Sequence, residues 1–322
     1  MFFLMKPENM LFYLRMVKKL LLHDIVFSPY LLVEELVFIF LTSLITAFIS
    51  LLLLQIFDCF RKISTNFSYQ KVLRKNHSLI KELKEKAPGT YRHSIHVSKL
   101  AMRAAESVRA NSSKAFAFSL FHDIGKLKSP DVFIENGRSQ TGLDGVFLEG
   151  NAKIIRQHVD DGCEIAKRKK LKDEIVEAIS QHHGDDRILY VYNKEQERLG
   201  NNVDDMRKYT YSGTIPMELE STILMLAGCC EAAVSAMRDA DDEVIRNKVE
   251  EIFHGKFERK QLDHSKITLE ELARIKASFI ATLLEEYHSL QKIQKSVLNE
   301  LIINQSLKLI KLLYFLFLRF YS

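Results

Sequence analysis

Between Leu36 and Phe57 the chain carries no charged side chain, and only Thr42, Ser43, Thr46, Ser50 and Gln55 are polar. Those 22 residues make a helix about 33 Å long, enough to cross a hydrocarbon core. A cleaved signal peptide would have a shorter apolar core nearer the start, and a buried core helix is seldom this long. The stretch is therefore expected to be a transmembrane helix, bounded by Glu34–Glu35 and Asp58. Arg61, Lys62, Lys71, Arg74, Lys75, Lys81, Lys84 and Lys86 follow it, which by the positive-inside rule puts the C-terminal body in the cytoplasm. Lys6, Arg15, Lys18 and Lys19 lie on the other side and weaken that bias.

Charge is distributed to match. Residues 1–90 are net +5, residues 91–290 net −4 and residues 291–322 net +4. The body lacks the basic footprint of a nucleic-acid binder, and the basic excess lies beside the most apolar segments, where membrane contact explains it. Met10–Val33, interrupted by Arg15, Lys18, Lys19, His23 and Asp24, reads as an interfacial helix or a poor second span. Leu307–Tyr321 is too short and too charged to span. The four cysteines, Cys59, Cys163, Cys229 and Cys230, form no framework and read as reduced thiols.

The body is expected to be all-α. With 12 glycines and 5 prolines in 322 residues the chain has few helix breakers, and no alternation builds a sheet. Helices are expected at Tyr69–Lys86 (stopped by Ala87-Pro88-Gly89), about Tyr91–Arg109, Lys114–Asp123, about Ala152–Lys170, Asp173–His182, Glu218–Ala240, Asp242–Phe253 and Leu269–Leu290. Two long loops are expected, Ser129–Gly150 and Gly184–Pro216, the second with four tyrosines. The division is then an N-terminal segment 1–35, a transmembrane helix 36–57, a juxtamembrane linker 58–90, a helical domain 91–290 and a basic, apolar tail 291–322.

Six of the 11 histidines, His93, His96, His122, His158, His182 and His183, fall between residues 93 and 183, each in or at the end of an expected helix. Imidazole and carboxylate are ligands for Fe, Mn and Zn. The pair His122-Asp123 can offer both side chains to one pocket, and its carboxylate can bridge two ions. Other histidines from separate helices can complete a dinuclear site, and two close cations suit phosphodiester hydrolysis. Lys126, four residues after His122, is placed to meet a phosphate. His23, His77, His96, His254, His264 and His288 are assigned no metal.

These residues carry a resemblance. Ala87–Ser94 (APGTYRHS), His122–Lys128 (HDIGKLK), Phe133–Asn136 (FIEN), Ile154-Ile155 with His158-Val159 and Asp161-Gly162, Gln181–Gly184 (QHHG), Tyr209–Gly213 (YTYSG) and Glu231–Ala233 stand in order and at the right spacing. Gln261–Asp263, Ile267–Leu269 and Tyr287-His288 fit as well. Over about residues 56–290 the chain resembles the cytoplasmic HD domain of the bacterial seven-transmembrane HD family, the PgpH-type cyclic di-AMP phosphodiesterases. The resemblance implies an HD-domain helical bundle with two divalent metal ions, Fe or Mn, held by His93, His122, Asp123, His158, His182 and His183. It implies Asp123 and Lys126 as catalytic residues, Lys126 also binding the phosphate, and cyclic di-AMP cleaved to pApA at the cell membrane. Its partners would be a cyclic dinucleotide and the membrane, not nucleic acid, with a homo-oligomer left open.

Two departures are visible. The family pattern M-L-A-D-S-V-E-A-A, whose Asp is a metal ligand, reads Met225-Leu226-Ala227-Gly228-Cys229-Cys230-Glu231-Ala232-Ala233 here. Gly228 has no side chain to offer. Only one of seven spans is clear, so the chain reads as a short form, a partner subunit or the product of a truncated frame. The sequence therefore supports a membrane-anchored phosphodiesterase and, in second place, a weakened or inactive HD domain that binds a nucleotide or partner. A third reading, another nucleotide phosphohydrolase, fits the tyrosine loop and QHHG less well.

Overall fold

A computed structural model of the chain describes residues 29–59, 69, 78–137, 148–199, 206–237, 240–289 and 291–292. The expectations for Met10–Val33, for most of the 58–77 linker, for His77 and for the tail beyond residue 292 lie largely or wholly outside these residues. The chain divides into two units, residues 1–59 and 60–322.

The described part of the first unit is one helix, α1 (Pro29–Cys59). Its stretch Val33–Leu53 has a mean hydropathy of 2.6 and no buried residue. It is long and apolar enough to cross a membrane, and evenly apolar around its circumference, as lipid on every side requires. Thr42, Ser43, Thr46 and Ser50 donate their hydroxyls to carbonyls three or four residues back, so no hydroxyl in the span needs water.

The second unit is helical: α2 (Ser78–Lys86), α3 (Pro88–Ser107), α4 (Ser112–Phe121), α5 (Leu148–Arg168), α6 (Asp173–Gln181), α7 (Leu189–Leu199), α8 (Leu219–Ser235), α9 (Asp242–Glu258) and α10 (269–289). Among the described residues the only β pairing is an isolated bridge between Arg187 and Thr210. α4 is the innermost element. Asn111 caps it by accepting from the Lys114 N–H at 3.0 Å, and Ala115 and Ala117–Phe121 are all buried. α3 and α8 pack against it and α6 closes another side. Phe118, Phe121, Leu100, Ile175, Ile179, Ile223 and Phe279 fill the interior. The apolar sequence of α4 thus has partners all round.

Three expectations are corrected. Ala87-Pro88-Gly89 does end α2, but Pro88 also starts α3, three residues before the expected Tyr91. Proline at the first helical position needs no N–H partner, so it opens a helix as readily as it stops one. The Ser129–Gly150 loop contains short 3-10 turns at Pro130–Val132 and Ile134–Asn136, and α5 begins at Leu148. The Gly184–Pro216 loop contains α7 and a 3-10 turn at Met206–Tyr209. There Ile188, Val191, Tyr192 and Tyr209 close over Ala152 of α5 as a second small core.

One contact fixes the turn after His122-Asp123. A Cβ on Gly125 would lie 1.8 Å from the His158 carbonyl oxygen and 2.6 Å from the Gly162 nitrogen. With no side chain at 125, the 3-10 turn Ile124–Lys128 lies backbone to backbone on α5.

Candidate metal centre

Three of the candidate histidines are aimed in the same way. His122 follows the last residue of α4, His182 follows the last of α6, and His158 lies within α5. Each turns its Nδ1 back to the carbonyl three residues earlier: His122 to Ser119 (2.7 Å), His182 to Ile179 (2.6 Å) and His158 to Ile155. A carbonyl only accepts, so Nδ1 carries the proton and Nε2 presents its lone pair forward.

Those lone pairs converge on Asp123. The carboxylate is 2% exposed. Its Oδ2 lies 3.1 Å from His122 Nε2, 3.6 Å from His93 Nε2 and 2.9 Å from the Lys126 ammonium. Its Oδ1 lies 3.3 Å from His158 Nε2 and 3.6 Å from His182 Nε2. Two ligand-like groups result, His93–His122–Asp123 and Asp123–His158–His182–His183, with Asp123 common to both.

The electrostatics suit cations. Burial opposes the Asp123 charge, but the Lys126 cation at 2.9 Å helps overcome it and hold the carboxyl well below its usual range. Burial pushes His158, His182 and His183 down, His183 furthest because its two neighbouring histidines add to the effect. They are neutral imidazoles, the form that ligates. Burial also opposes the Lys126 charge, yet Asp123 and Glu135 raise it, so it stays an ammonium.

The residues present fit divalent ions on the chain's own geometry. Asp123 Oδ1 is buried and meets no hydrogen-bond donor. His158 Nε2 and His182 Nε2 face each other at 3.2 Å, and with both Nδ1 positions protonated neither can donate to the other. Three converging lone pairs without a proton among them repel unless a cation lies between.

The supporting residues are the part that sequence reasoning left without roles. Glu231 of α8 holds His93 by its Nδ1, a carboxylate behind a ligand-like imidazole. Glu135 accepts from Lys126 at 2.7 Å and from the Thr90 hydroxyl at 3.0 Å. Tyr211, from the tyrosine loop, stacks on His183 with centroids 4.0 Å apart. Its backbone N–H donates to the Asp186 carbonyl, and the buried Asp186 carboxylate accepts from Lys256 (2.9 Å) and Arg259 (2.7 Å). The sequence marked Glu231, Glu135 and Tyr211 only as members of matching stretches.

His96, one turn from His93, turns away and bonds Glu286 at 3.0 Å, as expected of a histidine outside the site. Gly228 lies one turn before Glu231 on α8, and a Cβ built there would meet nothing within 4 Å. Cys230 is buried, and its neighbour Cys229 is half-buried.

Comparison with known proteins agrees with this geometry. Residues 90–233 match the HD domain family. The cyclic-di-AMP phosphodiesterase PgpH of Bacillus subtilis is 33% identical over 215 residues, 66% of this chain and 30% of that protein. PgpH of Listeria monocytogenes is 34% identical over 222 residues, 68% of this chain and 30% of that protein. The chain thus spans under a third of the length of these curated relatives. The crystal structure of the L. monocytogenes PgpH HD domain in complex with cyclic-di-AMP superposes with a TM-score of 0.63 at 34% identity, covering 66% of this chain and 99% of that one.

Proposed function

This chain belongs to the HD-domain family, its body homologous to the HD domain of PgpH, and we propose that it is a membrane-anchored, metal-dependent phosphodiesterase that opens cyclic di-AMP to pApA. The observation that carries the reading is the Asp123 carboxylate shared by two histidine groups. His93, His122 and Asp123 would hold one ion, and Asp123, His158, His182 and His183 the other, with Fe or Mn the metals that suit this donor set. When bound, two such ions supply an activated water and neutralise phosphate charge.

The chain's own residues do the rest. Lys126, kept cationic between Asp123 and Glu135, offers an ammonium to a non-bridging phosphate oxygen. Asp123 stays ionised and acceptor-only. Glu231 fixes the orientation of His93, and Tyr211 fixes that of His183 by stacking on its face. α1 would anchor the enzyme, 58–90 would link it to the HD domain at 91–290, and the basic residues after the span would keep that domain in the cytoplasm.

A second reading rests on Gly228. The His93 side has one donor fewer, and nothing fills the space beside Gly228. A domain short of a ligand there would bind the nucleotide without turnover. Full-length protein in detergent, supplied with Mn and assayed for pApA, separates the two. Turnover supports the enzyme, and tight binding of cyclic di-AMP without product supports the binding protein. The anchor is checked by washing membranes at high salt, where the chain is expected to stay in the pellet. Recovery in the soluble fraction would remove the anchor from the proposal.

A further inference from the structure

Among the described residues Tyr69 is one of the largest fully buried side chains, yet it belongs to none of the helices α2–α10. It comes from the stretch between Cys59, where α1 ends, and Ser78, where α2 begins. Burying a tyrosine requires a partner for its hydroxyl as well as for its ring. Tyr69 has both. Its ring stands edge-on to Phe118 of α4, with centroids 6.3 Å apart, and its hydroxyl donates to the Glu174 carboxylate of α6. Around this contact the starts of three helices are tied together. Lys114 of α4 lies 3.5 Å from Glu174, 2.6 Å from Glu218 just before α8, and 5.4 Å from the centroid of the Phe118 ring. The Asn111 N–H donates to Glu220 of α8 at 3.0 Å.

α4 and α6 are also the helices whose C-terminal ends present His122 and His182-His183. The path from Tyr69 to those rings is short and stiff. Phe118 lies one turn before His122, and α4 is buried over Ala115 and Ala117–Phe121. Close-packed interiors transmit strain rather than absorb it. Neither ring swings freely on its helix, because each is bonded through Nδ1 to a carbonyl of that helix, Ser119 for His122 and Ile179 for His182. A displacement of α4 against α6 is therefore a displacement of His122 against His182, whose ring centroids are 5.1 Å apart. Metal–ligand bonds have narrow length ranges, so an ion bound there would register the change.

We infer that Tyr69 is a positioning residue of the metal centre: from the stretch that joins α1 to the body it sets the spacing of α4 and α6, and through them that of His122 and His182. The inference rests on the metal-centre reading above and on no particular nucleotide. Its test is the Mn affinity of the full-length protein in detergent, read by electron paramagnetic resonance of free Mn well below each variant's melting temperature. Loss of a residue directly behind a metal ligand costs about 10–100-fold in affinity. Tyr69 acts one step further out, so Tyr69→Ala is expected to raise Kd for Mn about fivefold. Tyr69→Leu keeps the apolar bulk but loses the hydroxyl and the edge-on ring, and should raise it about threefold. Phe253→Ala is the control. It removes a buried aromatic of α9 whose ring meets Phe279, and should lower the melting temperature while leaving Kd at the wild-type value. A wild-type Kd in Tyr69→Ala, or in Tyr69→Leu where the alanine variant fails to fold, overturns the positioning role and leaves the metal centre standing. So does a rise of the same size in Phe253→Ala. A wild-type chain that binds no Mn overturns the centre itself, and the role of Tyr69 with it.

Discussion

On the Oδ1 side of Asp123, α5 and α6 bring His158, His182 and His183 together, Tyr211 stacks on the last of them, and two of the three rings are tied by Nδ1 to a helix carbonyl. On the Oδ2 side only His93 and His122 arrive, Lys126 occupies the same oxygen at 2.9 Å, and α8 supplies Glu231 behind His93, with Gly228 one turn earlier in the helix. The first group offers four donors and the second three. Closed sites hold metals for structure, whereas catalytic sites keep a position open for water or substrate. On the reading proposed above, the His158 side would retain its ion and the His93 side, where Lys126 also lies, would exchange it.

The largest test removes what the two sides share. Asp123→Ala should leave the protein with no bound ion and no hydrolysis, measured by metal analysis after gel filtration. His122→Ala, which removes a donor from the His93 side only, should leave one ion. An ion retained in full by Asp123→Ala would show that the sides are independent. Next, His93→Ala and His183→Ala should each leave one ion. The ion remaining in His93→Ala should withstand a chelator at about tenfold higher concentration, a difference of about 1.4 kcal/mol. Equal retention breaks the asymmetry.

Gly228→Asp should make the sides more alike. The space is open, and aspartate is the better helix former of the two. Metal content should rise towards two ions, and the rate with it by about tenfold, which needs only about 1.4 kcal/mol in the transition state. Gly228→Ala, which alters the helix but adds no oxygen, is the control. An Asp variant no better than the Ala variant would show that the open side needs no further donor.

The smallest effect belongs to His96→Ala, which should leave metal content unchanged. The hydrogen bond to Glu286 raises His96 above the usual imidazole value, against the effect of burial. A raised folded pKa contributes stability that is present in full below about pH 6.5 and is lost as pH rises through the folded value. The variant should therefore be slightly less stable than the wild type at pH 5.5, by no more than about 0.5 kcal/mol for a part-exposed pair, and melt like it at pH 8.5. A loss of metal would move His96 into the site.

Much of this was readable from the chain because helices carry it. The uncharged run became α1, and the His-Asp dipeptide and the Gln-His-His stretch fell where α4 and α6 end. α7 was not readable. Among its described side chains, LYVYNKEQERL buries only Val191, Tyr192 and Glu195, too thin an apolar stripe to show a period. The partners of the centre were hidden for a different reason. Glu231 meets His93 across 138 residues of chain, and tertiary pairing at such separation leaves no local pattern. Glu135, nine residues from Lys126, was hidden by the 3-10 turns that fold it back.

The contact at Gly125 also sets how force moves through this body. Side chains between two elements act as padding, since rotamers can yield before backbones do. No such padding separates the turn carrying Asp123 and Lys126 from α5, where Gly125 lies on the His158 carbonyl and on Gly162. Whatever leans on α5 therefore pushes that turn with it, a joint with no slack to absorb the load.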